Sequence, residues 1–127
     1  KAGNVDALTL FAFDPNVKVR VEGLTLSTKR IKLGETLAFS FTVVSEAAHT
    51  QQLALDYAIH YRKAHGGTAR KVFKLKEVEL AEHAVFAVSK RQRFVDFTTR
   101  KHYPGEHLVE VFVNGEVKAK RSFNMVC

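Results

Sequence analysis

In the run Leu37, Phe39, Phe41, Val43 every second residue is large and apolar, while Ala38, Ser40 and Thr42 between them are small or polar. A period of two belongs to a strand that buries one face, since a helix would scatter these side chains around its axis. Leu53, Leu55, Tyr57, Ile59 and Tyr61 repeat the pattern over a longer run, and Val109, Val111 and Val113 repeat it again. The last run leads into Asn114-Gly115, a pair that tolerates positive φ and marks a tight hairpin.

Weaker strand signals fill the intervals. Val17 to Leu26, Val72 to Leu75, Val78 to Leu80, Val85 to Phe94 and Val117 to Met125 each read as strands, separated by turn-forming groups such as His65-Gly66-Gly67 and Pro104-Gly105-Glu106. Seven to eight short strands at this spacing predict an all-β, antiparallel β-sandwich over residues 17–127. A two-residue turn at Asn114-Gly115 puts the two flanking apolar faces out of phase, so a bulge beside Gly115 is expected. Residues 1–16 differ. Val5, Leu8, Leu10, Phe11 and Phe13 do not alternate, Asn4 can cap a short helix, and Asp14-Pro15-Asn16 ends the segment, which reads as a linker or the end of a preceding helical domain.

Composition excludes several classes. The 127 residues suit one domain with a single core, and no apolar run approaches the roughly 20 residues of a membrane helix. The single cysteine, Cys127, cannot form an internal disulfide, which favours a reducing, cytoplasmic setting. There is no glycine-rich phosphate loop and no Gly-x-Ser-x-Gly elbow. His102, Glu106 and His107 flank Pro104-Gly105 as a conceivable metal corner, but no nucleophile or closed ligand set accompanies them. No catalytic residue, metal or cofactor is therefore expected.

The charge is +7, from 20 Lys+Arg against 13 Asp+Glu, and alone it fits polyanion binding and plain solubility equally. Its distribution is more telling. Arg62, Lys63, Arg70, Lys71, Lys74 and Lys76 occupy a stretch without an acid, and Lys90, Arg91, Arg93, Arg100 and Lys101 share a stretch with only Asp96. Smaller groups lie at Lys29, Arg30, Lys32 and at Lys118, Lys120, Arg121. Thr98 to His107 packs hydroxyls, cations, imidazoles and Tyr103 ahead of a strand, the kind of set that contacts phosphates. Tyr103 alternatively suits a tyrosine corner that ties down a loop, and His60 suits a partly exposed sheet position.

Four stretches also resemble one family. Ile31-Lys32-Leu33-Gly34-Glu35-Thr36-Leu37, Leu55-Asp56-Tyr57-Ala58-Ile59-His60-Tyr61, Lys71 to Lys76 and Thr98 to His107 resemble, in order, the C-terminal immunoglobulin-like domain of bacterial DNA alkylation repair glycosylases of the HEAT-like-repeat type, in the AlkC branch. Val113-Asn114-Gly115 fits as well, and Leu10 to Pro15 resembles the exit from the helical repeats. The resemblance implies an immunoglobulin-like sandwich without the Cys…Trp…Cys core, because this chain has no Trp. It also implies that the catalytic carboxylate belongs to the repeats, and that this domain helps hold the DNA.

The expected function is thus a non-catalytic, DNA-binding accessory domain that clamps duplex DNA through its phosphates. The candidate DNA-binding residues are Lys71, Lys74, Arg91, Arg93, Thr99, Arg100, Lys101 and His102. Expected partners are duplex DNA and the HEAT-like-repeat domain of the same parent chain, with no membrane and a monomeric state. The alternative is a protein-interaction sandwich that docks an acidic partner.

Overall fold

A computed structural model describes residues 16–94 and 103–126. The described residues form eight strands: β1 (Val19–Leu26), β2 (Arg30–Lys32), β3 (Thr36–Ser45), β4 (Gln51–Arg62), β5 (Thr68–Leu80), β6 (Val85–Arg93), β7 (Gly105–Val113) and β8 (Glu116–Val126). They make two sheets, one ordered β1-β3-β6 and the other β2-β8-β7-β4-β5. The expected immunoglobulin-like sandwich is the fold. The helix over Val5 to Phe13 falls outside the described residues.

The alternating runs supply the core. Leu37, Phe39, Phe41 and Val43 from one sheet face Leu53, Leu55, Tyr57, Ile59, Val109, Val111 and Val113 from the other, and all are buried. In place of the Cys…Trp…Cys pin, Tyr57 takes the central position. Its ring stacks on Phe73 at 4.9 Å, meets Phe39 edge-on at 5.1 Å, and its hydroxyl donates to Gln92 Oε1 at 2.6 Å. Since Gln92 lies on β6, this bond ties one sheet to the other. Burial, aided by the nearby Tyr61, pushes the Tyr57 hydroxyl up to about 12.

Two details depart from the sequence reading and one bears it out. Val72–Leu75 and Val78–Leu80 are one 13-residue strand, because a register shift opposite Leu55/Asp56 absorbs the break in alternation. The three-residue β2 gave no sequence signal, and it pairs with β8 in parallel, an exception to the otherwise antiparallel ladders. The bulge expected beside Gly115 is present. Val111 pairs with Ala119 and Phe112 with Val117, leaving Lys118 as the extra residue. Asn114 and Gly115 keep their two-residue turn at φ 50° and 86°. Asn114 also accepts from Ala54 N–H at 2.7 Å and donates to Gln52 O at 3.1 Å, fastening the hairpin to β4.

Candidate nucleic-acid interface

The strand register divides the sandwich into two ends of opposite character. One end carries the β2–β3 turn, the β4–β5 turn, the end of β6 and the start of β7. It gathers Lys29, Arg30 and Lys32 with Arg62 and Lys63 and with Arg91 and Arg93, against the carboxylates of Glu35 and Glu106. The other end carries Glu22, Glu46, Glu77, Glu79, Glu82 and Glu116. Two cations there are already matched, Arg20 at 2.6 Å from Glu22 and 2.9 Å from Glu46, and Lys118 at 3.5 Å from Glu116. Among the described residues, none of Lys29, Arg30, Arg91 and Arg93 is in an ion pair, so their charge remains available to an anion.

Beneath the basic end lies a buried aromatic plug. Phe94 is fully buried, with Tyr61 at 5.9 Å, His107 at 6.4 Å and Phe123 at 5.5 Å between ring centroids. The Phe94 amide donates to Glu35 O at 3.0 Å, and its carbonyl accepts from Gly34 N–H at 2.6 Å. On the far side of the 95–102 segment, Gly105 sits at φ +129° with the Arg62 side chain against it, where a Cβ would lie 3.0 Å from Arg62 Nε. His107 is buried too, its Nδ1 3.1 Å from Gly105 O and its Nε2 3.4 Å from the Arg62 amide. Both ring nitrogens face backbone, so Nδ1 carries the proton and Nε2 accepts. His107 is thus a core residue, and His102, the other histidine of the conceivable metal corner, lies outside the described residues. Among the described residues no group of His, Cys, Asp and Glu can hold a metal. Tyr103 is 37% exposed and its hydroxyl has no partner among the described residues, while the upstream residues that a tyrosine corner would tie lie outside them.

The candidate residues divide among several surfaces. Arg91 and Arg93 share the outer face of the three-stranded sheet, opposite Ala38 and Thr36. Lys71 lies on edge strand β5 in the inward-facing row, and its Nζ crosses the Phe73 ring at 5.6 Å. Lys74 points out of the other sheet, opposite Asp56, whose carboxyl is pushed up by burial and drawn back down by Lys74. Thr99, Arg100, Lys101 and His102 lie outside the described residues. His60 is half-buried as expected, 2.7 Å from Glu110 Oε1, with the Arg70 guanidinium 3.9 Å from the same carboxylate and 4.8 Å from the Phe112 ring centroid.

Residues 20–127 match a family model described as the C-terminal Ig-like domain of the uncharacterised protein YhaZ. The chain belongs to this family. YhaZ of Bacillus subtilis (strain 168) is 38% identical over 125 residues, covering 98% of this chain and 34% of that protein. Among solved structures, the alkylpurine DNA glycosylase AlkC of Pseudomonas fluorescens, bound to DNA containing an abasic site analog, is 42% identical with a TM-score of 0.91, covering 98% of this chain and 35% of that one. A β-glucosidase of Listeria innocua aligns at a TM-score of 0.71 over 88% of this chain and 16% of its own, but at 15% identity it shares the fold alone. The YhaZ-family chain described here thus spans about a third of the length of its full-length relatives. The resemblance to the AlkC branch read from the four sequence stretches holds.

Proposed function

We propose that this chain is a non-catalytic accessory domain of a DNA alkylation repair glycosylase that clamps duplex DNA through its backbone phosphates. The observation that carries the reading is the match over 98% of the chain, at 42% identity, to a glycosylase seen in complex with DNA. The basic end supplies the physical means. Unpaired arginines and lysines attract phosphates at long range and displace condensed counterions on contact. Arg91 and Arg93 lead from the outer sheet face to Phe94, where the segment bearing Thr99, Arg100, Lys101 and His102 begins. Lys71 and Lys74 would act from edge strand β5.

On this reading the base chemistry belongs to a preceding HEAT-like-repeat domain of the same parent, which works as a monomer in the cytoplasm. An acidic protein partner would need the same end, and the DNA complex of the AlkC relative favours nucleic acid. The test is a salt titration of binding to a fluorescent duplex by the full chain. Three to five phosphate contacts predict a loss of roughly 40- to 500-fold in affinity between 50 and 200 mM salt. An affinity that does not change over this range refutes the clamp.

A further inference from the structure

The outer face of the β1-β3-β6 sheet is paved with small side chains. Reading across the strands, one row holds Thr25, Ser40 and Ser89, and the next toward the basic end holds Ala38 and Arg91. Thr36 and Arg93 follow at the rim. Where this face meets β1 there is an open depression of about 340 Å³. Its lining includes Ser27, Ser40, Ser89 and Arg91 and contains no acid. Glu22, opposite Thr42 in the next row away from the basic end, is occupied by Arg20.

Thr25 Oγ1 donates to Gly23 O at 2.9 Å, but the other two hydroxyls of its row are not used by the fold. Ser40 and Ser89 are exposed, face each other across the β3–β6 ladder, and neither bonds to a described residue. Ser27 Oγ accepts from the Ala38 amide at 3.0 Å, which leaves its proton for an outside acceptor. Arg91 and Arg93, two residues apart on one strand face, are separated by about 7 Å, comparable with successive phosphates along one nucleic-acid strand. Small neighbours at Ala38 and Ala87 let a bulky anionic chain come close to the sheet.

We infer that this face seats one strand of the duplex, from Arg93 through Arg91 to the Ser40–Ser89 pair, as a phosphate track leading away from the basic end. It rests on the DNA-binding reading above and extends it to a surface of charged and hydroxyl donors. The occupant is a sugar-phosphate backbone, because the lining offers cations and hydroxyls without a carboxylate, and its apolar part at Leu26 and Ala38 suits the sugar.

The experiment uses the full chain and a fluorescein-labelled 20-base-pair duplex of random sequence. The double variant Ser40→Asp/Ser89→Asp puts two negative charges on the track, while Ala48→Asp/Thr50→Asp adds the same charge at the acidic end. The track variant should bind at least about 10-fold more weakly than the matched control, and Arg91→Ala should lower the salt slope by about 1. Ser40→Ala/Ser89→Ala, which adds no charge and disturbs the fold least, should weaken binding about 3-fold. Circular dichroism confirms folding of each variant. If the parent binds and both serine variants stay within twofold of their controls, the track is wrong and the DNA-binding reading stands. If the parent binds no duplex at low salt, both fall.

Discussion

Replacing Phe94 with alanine should remove the plug under the basic end, with a cost that follows from its surroundings. The side chain is fully buried and packs edge-on against Tyr61 and Phe123. Its neighbours are held by ladder bonds on β4, β7 and β8, so they cannot collapse into the space. Truncating a buried Phe in a site that cannot relax costs about 3–5 kcal/mol. At a urea m-value of about 1.5–2 kcal/mol/M, the unfolding midpoint should drop by roughly 2 M. Phe94→Leu keeps most of the volume and should lose about 1–2 kcal/mol while staying folded. That variant separates packing from binding. Because the backbone bonds to Gly34 and Glu35 survive in it, DNA affinity should fall less than threefold if the plug acts only as an anchor. Urea unfolding followed by circular dichroism reads the stability, and duplex anisotropy reads the binding. A midpoint shift in Phe94→Ala equivalent to less than about 1 kcal/mol would refute the claim that this ring closes the core.

Two further outcomes follow from the same core. Because burial pushes the Tyr57 hydroxyl up to about 12, the unfolded chain ionises first, near pH 10. The stability from keeping this group neutral is therefore complete below about pH 10 and lost as pH rises toward 12, and Tyr57→Phe should show a shallower decline in urea midpoint over that window. Gly105→Ala should cost about 1–3 kcal/mol, since φ +129° is strained for alanine and the new Cβ meets Arg62; a thermal midpoint equal to the parent's would show that Arg62 moves aside freely.

The sandwich was legible because β3, β4 and β7 keep strict alternation over long runs, and each residue of the pattern lands in the core. The parts that stayed hidden have physical reasons. Strand β5 changes phase at its register shift, so a single strand reads as two, and Lys71 and Lys74 fall on opposite faces. Strand β2 has one buried residue, Ile31, between two exposed cations, too little for a periodic signal. His107 was legible and was missed: it is in phase with Val109, Val111 and Val113, which predicts burial, but its neighbours Pro104-Gly105-Glu106 suggest a loop. The basic groups were visible as separate stretches. That Lys29, Arg30 and Lys32, Arg62 and Lys63, and Arg91 and Arg93 meet at one end could not be read, because convergence depends on which strand ends the topology brings together. Neither could the Ser40–Ser89 pair, residues far apart in sequence that meet only across a ladder.

The charge separation between the two ends has a consequence for how this domain finds a target. A 12-residue strand such as β4 is about 40 Å long, whereas fields decay over about 8 Å at physiological ionic strength. The glutamates of one end, more than a screening length away, therefore mute the arginines of the other only weakly. A polyanion approaching from either side meets a local field of definite sign rather than an average, so the domain is oriented before it makes contact. Association should then be fast and low in misdirected encounters, and net charge, the quantity a composition table reports, is the least informative description of how this surface behaves.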